Sequence, residues 1–132
     1  MMRGSIDKVV VGGDRVLVTG HLFNKVGTYP IAVLAKVHGV PFYCAVPTST
    51  IDAERRVEEV RIEERDPAEV LSIRGRRIAP RQARALNPAF DITPPEYVTA
   101  YITERGIAEK PFEDSLPGML GLKAAKRETV SA

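Results

Sequence analysis

Ile6-Asp7-Lys8-Val9-Val10-Val11-Gly12-Gly13-Asp14 is the stretch that decides the fold of this chain. A run rich in β-branched residues and ended by a glycine pair predicts a buried strand. Because its apolar core is unbroken rather than alternating, it suits a parallel strand covered on both faces. Outward from it, Arg15-Val16-Leu17-Val18 reads as a brief extended piece or as part of the loop above the strand, and Thr19-Gly20 as a turn. A helix follows, with Asn24 or Thr28 as its cap, Pro30 in the first turn and Gly39 just past its end. Its expected apolar stripe is Ile31, Leu34, Ala35 and His38, widened by Val33 and Val37. Val40 to Val46 then reads as a second buried strand closed by Pro47. Strand, helix and strand in this order predict a βαβ crossover. The fold class expected is therefore α/β, a Rossmann-like open, mainly parallel sheet with flanking helices.

Downstream, Glu58 to Glu64 reads as extended, Asp66 as the cap of a helical turn, and Ser72 to Pro80 as a turn or hairpin around Gly75. Leu86 to Asp91 reads as irregular. A last helix is expected from Thr93, opened by Pro94 and Pro95 and ended by Gly106, with Tyr97, Val98, Tyr101 and Ile102 on its apolar face. Residues 1–112 form the expected domain. Residues 113–132, broken by Pro117-Gly118 and polar beyond, are expected to be a flexible tail.

With 132 residues, 44% hydrophobic and 27% charged, the chain can bury one ordinary core. A net charge of +2 does not call for a nucleic-acid or membrane partner. Arg55–Arg56 and Arg74–Arg77 lie near acids and read as solvated surface. Cys44 stands alone, which excludes an intramolecular disulfide, fits a reducing compartment and reads as an inert buried thiol. No apolar run is long enough for a bilayer and no leader pattern opens the chain, so a cytoplasmic location is expected. His21 and His38 are too isolated for a metal site, and Ser49 lacks a nucleophile elbow.

Ligands of open α/β sheets bind beyond the C-terminal ends of strands, which singles out the loops Gly12–Gly27 and Pro47–Asp52. Asp14 emerges where an acid or base reaches a bound substrate, and partial burial there would raise its pKa toward neutrality. The plainer alternative pairs Asp14 with Arg15 or another base, or makes it a turn cap. Asn24-Lys25 at the helix start offers an amide and an ammonium to hydroxyl or carbonyl oxygens, beside a helix N-terminus that favours anions. Here the alternative is a cap and a solvated lysine.

The residues together carry a resemblance. Val11-Gly12-Gly13-Asp14-Arg15, Asn24-Lys25-Val26-Gly27-Thr28-Tyr29 and Pro41-Phe42-Tyr43-Cys44-Ala45-Val46-Pro47-Thr48-Ser49-Thr50-Ile51-Asp52 follow one another in order. They continue through Ile62–Arg65, Ile78-Ala79-Pro80, Asn87–Pro94 and Ile102–Gly106. This series resembles the methylthioribose-1-phosphate isomerase family over residues 4 to 107. The resemblance implies aldose–ketose isomerisation of 5-methylthioribose 1-phosphate in methionine salvage. It casts Asp14 as general acid/base and Asn24 and Lys25 as sugar contacts, with no metal or organic cofactor. A homodimer is implied as well.

Gly13 stands where that family usually has alanine, and Thr19–Phe23 replaces the commoner Asn-Gly-Asp-Val-Ala. The family's catalytic cysteine and phosphate-binding arginines lie upstream of everything matched, and Cys44 does not fill that role. The expectation is thus a chain inactive alone, as a truncated reading frame or as one part of a split enzyme with a separate N-terminal half. Ribose-1,5-bisphosphate isomerases and regulatory subunits of initiation factor 2B share the superfamily. They usually carry a Tyr-Lys-Phe loop in place of Ser49–Asp52, and Arg15 too favours the methylthioribose enzyme. A dinucleotide-binding domain is the weakest alternative, since its glycine fingerprint is absent.

Overall fold

The computed structural model describes residues 1–122. In chain order the elements are β1 (Val9–Val11), β2 (Arg15–Leu17), β3 (Leu22–Lys25), α1 (Thr28–Val37), β4 (Phe42–Ala45), β5 (Ile51–Asp52), α2 (Ala68–Leu71), β6 (Ser72–Ile73), β7 (Arg76–Arg77), β8 (Phe90–Thr93), β9 (Ala100–Thr103), β10 (Gly106–Glu109) and α3 (Phe112–Met119). Single 3-10 turns lie at Thr48–Thr50, Val57–Glu59 and Pro95–Tyr97.

The architecture is α/β with mixed sheets. One sheet runs β1-β4-β9-β10, parallel across β1, β4 and β9 and antiparallel at β10. A second runs β5-β2-β3-β8 and is parallel only between β2 and β5, so the mainly parallel expectation holds for the first sheet alone. Thr19-Gly20 does turn the chain: Gly20 N–H donates to Leu17 O at 2.8 Å, which folds β2 back onto β3. The expected hairpin around Gly75 is β6–β7, with Arg74 and Gly75 both at positive φ as a tight two-residue loop requires.

β1 is not buried on both faces. It is an edge strand with Val10 59% exposed, because only β4 pairs with it. α1 is rotated from its expected face: Thr28, Ala32 and Ala35 are buried, whereas Ile31, Leu34 and Val37 are exposed and His38 lies exposed at the helix end. Small side chains at Ala32 and Ala35 let the helix approach β4 and β8 closely, which turns the larger ones outward.

The helix expected over 93–106 lasts one turn. Pro94 and Pro95 start it, but Ala100 to Thr103 then pair between β4 and β10. Tyr101 is fully buried while Ile102 faces out, the period of two that a strand imposes. Phe90 and Asp91, at the end of the stretch read as irregular, open β8 with Ile92 and Thr93, and 58–64 is a 3-10 turn and coil rather than a strand. The break expected at Pro117-Gly118 is absent: both lie within α3, whose Phe112 and Leu116 enter the core. The rest of the expected tail, residues 123–132, lies outside the described residues.

That core joins Val16, Leu22, Phe42, Cys44, Val46, Val98 and Tyr101 to α3. Tyr101 satisfies its buried hydroxyl by donating to Gly20 O at 2.9 Å, and its ring meets Phe112 edge-on at 5.0 Å. Burial pushes the Cys44 thiol up to about 12, which keeps it protonated and unreactive.

Candidate functional site

Asp14 follows β1 at its C-terminal end, and its N–H donates to Phe23 O at 2.9 Å. This bond ties it beside the end of β3, one residue before Asn24. Its side chain is exposed, so the partial burial expected of it is not found. Nor does it pair with Arg15. The Arg15 guanidinium reaches across to Asp52, with Nη1 2.5 Å from Oδ2. Among the described residues Asp14 has no ion-pair partner, which leaves a solvated carboxylate at the strand end.

Asp52 is itself well anchored. Its Oδ1 accepts the N–H groups of Glu54 and Arg55 at 3.0 and 3.1 Å. Burial pushes its carboxyl up, but those two bonds and the Arg15 guanidinium outweigh it and hold the group below the ordinary aspartate value. Asp14, Arg15, Ser49, Thr50, Asp52 and Arg55 line an open cleft of about 500 Å³. Asp14 and Arg15 also border a smaller one of about 190 Å³, floored by Phe23, Ile62 and Phe90.

Asn24 and Lys25 sit on β3, opposite Asp91 and Phe90 of β8, and line neither cleft. Asn24 Nδ2 donates to Thr28 Oγ1 at 3.1 Å, and that hydroxyl donates to Lys25 O at 2.7 Å. Lys25 is exposed, its Nζ 6.0 Å from the centre of the Phe90 ring. Neither Asn24 nor Thr28 caps α1. Its first N–H groups, from Gly27 and Tyr29, donate to the carboxylate of Asp91 at 2.7 and 3.1 Å. An acid from a strand more than sixty residues away therefore fills the helix N-terminus that the sequence offered to an anionic ligand.

Asp52, Asp91 and Glu104 are the residues that the sequence reading left without roles. Asp52 had a signal, since it ends the second strand-end loop. Asp91 had none, as its partners are remote. Glu104 falls within the stretch expected to be helical, whereas it follows β9 and its carboxylate accepts both the N–H (2.9 Å) and the hydroxyl of Thr48. Those two bonds, hydroxyl first, hold it below the ordinary glutamate value. Among the described residues no group of three or more His, Cys, Asp or Glu is placed to hold a metal ion. No helix there is long and apolar enough to cross a membrane.

Comparisons with known proteins fit this arrangement. The model of the initiation factor 2 subunit family matches residues 1–110. The methylthioribose-1-phosphate isomerase of Chloroflexus aurantiacus is 57% identical over 113 residues, 85% of this chain and 33% of that protein. Among solved structures, translation initiation factor eIF-2B subunit delta from A. fulgidus superposes with a TM-score of 0.85 at 46% identity, over 92% of this chain and 35% of that one. The 5-methylthioribose 1-phosphate isomerase of Pyrococcus horikoshii OT3 gives 0.84 at 45% identity, over 91% and 34%. The chain spans about a third of the length of the curated relatives it matches. The resemblance read from the ordered motifs is borne out by these matches.

Proposed function

The chain belongs to the initiation factor 2 subunit family, and from that premise we propose that it carries the acid/base side of an aldose–ketose isomerase site for 5-methylthioribose 1-phosphate. The observation that carries this reading is the solvated Asp14 carboxylate at the end of β1, which has no ion-pair partner among the described residues because Arg15 is held by Asp52. Curated relatives about half identical to the chain are named for that reaction.

The chemistry asks for one hydrogen moved between carbons and one proton moved between oxygens. C1–O4 and C2–H break, C1–H and O4–H form, and the C2 hydroxyl becomes the ketone. Asp14 serves the proton half, its carboxylate taking the proton of the C2 hydroxyl and passing a proton to the ring oxygen. Asn24 and Lys25 hold sugar oxygens from the adjoining strand. We read β1-β4-β9 as part of a Rossmann-like sheet, which places Asp14 at the strand ends where such sheets bind ligands. A cytoplasmic homodimer belongs to the same proposal, with the exposed apolar row of α1 (Ile31, Leu34, Val37) as the surface it would cover.

A binding-subunit reading has one observation in its favour, the equally close superposition on the eIF-2B delta structure. Arg15 and Ser49–Asp52 favour the isomerase. The deciding experiment mixes the chain with a polypeptide covering the remaining length of the Chloroflexus aurantiacus relative and follows ketose formation. Turnover should appear on mixing and fall by about a hundredfold or more in Asp14→Asn. No turnover, or turnover untouched by that substitution, would reject the reading.

A further inference from the structure

We propose that Glu104 is a positioning residue for the cleft beside Asp14, acting through Thr48 on the loop that bears Ser49, Thr50 and Asp52. The role assigned to that cleft rests on the isomerase reading; the positioning itself does not.

Thr48 and Glu104 lie just beyond the C-terminal ends of β4 and β9, neighbouring parallel strands. The ladder reaches toward them, since Val46 N–H donates to Ile102 O at 2.9 Å. Past that bond, no strand pairing fixes the chain that leaves β4. Glu104 supplies the next tie by accepting both polar hydrogens of Thr48, which is 8% exposed. A carboxylate bonded to the first residue of a turn orients that turn. Thr50 N–H closes it on Pro47 O at 3.0 Å, and β5 follows at once, pairing Ile51 and Asp52 with Val16 and Leu17. Asp52 then grips Arg15. One carboxylate thus sets the loop wall of the cleft and, through it, the guanidinium next to Asp14.

Glu104 can do this because its own turn is pinned. Thr103 Oγ1 accepts the Arg105 N–H at 3.1 Å and donates to Gly106 O at 3.0 Å. Arg105 Nη1 donates to Met119 O at 2.9 Å, which fastens the turn to the end of α3. The path from α3 to the cleft is continuous and made of direct bonds.

The test uses the full chain as Glu104→Ala, Glu104→Gln and wild type, read by amide hydrogen exchange, by the Arg15 Nε–H resonance and by melting temperature. Glu104→Ala should lose about tenfold or more of the exchange protection at Thr48 and Thr50 and shift or broaden the Arg15 signal. Glu104→Gln, which keeps an acceptor oxygen, should recover most of both. A general loss of stability would instead raise exchange in β1 and β9 alike, and that pattern would overturn the proposal. So would an unchanged Arg15 signal in Glu104→Ala. A separate titration with 5-methylthioribose 1-phosphate, of each protein mixed with the polypeptide covering the remaining length of the Chloroflexus aurantiacus relative, reads the site. Shifts at Asp14 and Arg15 in wild type, weakened about tenfold in Glu104→Ala, support positioning of a sugar-phosphate site. Absence of any shift in wild type would sink the isomerase reading, while exchange and the Arg15 signal still decide the positioning.

Discussion

Arg15 Nη1 lies 2.5 Å from Asp52 Oδ2, joining the start of β2 to the end of β5 and leaving the neighbouring Asp14 without an ion-pair partner among the described residues. Asp52 is held below the ordinary carboxylate value of 3.8 despite its partial burial, so its charged form stabilises the folded chain. The sign follows: a depressed folded-state pKa gives stability that is complete above the unfolded value. It is lost as pH falls from about that value through the lower folded one. Equilibrium denaturation between pH 7 and about pH 2 should therefore show an acid loss that shrinks in Asp52→Asn. An identical acid profile in that variant would contradict the assignment. At neutral pH, Asp52→Ala should lower stability by about 1–2 kcal/mol through its two N–H bonds and the ion pair.

Gly13 is a matter of space. A Cβ built there would lie 2.8 Å from Leu22 Cδ1 and 3.0 Å from Val46 Cγ1. The alanine common at this position in the resembling family therefore conflicts with Leu22 in this chain. Gly13→Ala should destabilise by about 1–3 kcal/mol in urea unfolding, and Leu22→Val should make the same change milder. Additive effects of the two substitutions would show that they do not meet.

Asp91 caps α1 from β8 with bonds to Gly27 and Tyr29. Asp91→Ala should lower stability by about 1–2 kcal/mol, and Asp91→Asn by less, because an amide oxygen still accepts. Since β3 carries Asn24 and Lys25 against β8, chemical shifts of both should move in Asp91→Ala. Unmoved shifts would separate the cap from the two residues proposed to hold sugar oxygens.

What the sequence disclosed follows from how local each feature is. The Thr19-Gly20 turn, β4 and the hairpin at Gly75 are written in contiguous residues, and each forms where its residues point; at 15–18, open between strand and loop, β2 forms. The stretch 93–106 misleads because Thr93-Pro94-Pro95 is a sound helix start, while the residues that settle the matter are β4 and β10, which flank β9. α1 misleads for a similar reason: a 3.6-residue period marks where apolar residues lie but not which face the sheet accepts, and Ala32 and Ala35 fit closer than Leu34. Asp14 was legible as a strand-end acid. Its release from Arg15 was not, since that depends on Asp52, thirty-seven residues away.

Phe112 tests how firmly the end of the described chain belongs to the fold. Its ring packs edge-on against Tyr101, and a Cβ on Gly20, at φ 83°, would come within 2.4 Å of it. Phe112 is 3% exposed and Leu116 fully buried, so α3 closes the core rather than trailing from it. Phe112→Ala should cost about 3–5 kcal/mol, near the upper end for a single core truncation, whereas exposed Glu113→Ala should change stability by less than about 0.5 kcal/mol. Loosening α3 also releases Met119 O from Arg105, so exchange in the β9–β10 turn should rise in Phe112→Ala before global unfolding does. Equal, small effects of the two substitutions would mean that the helix rests on the core without holding it.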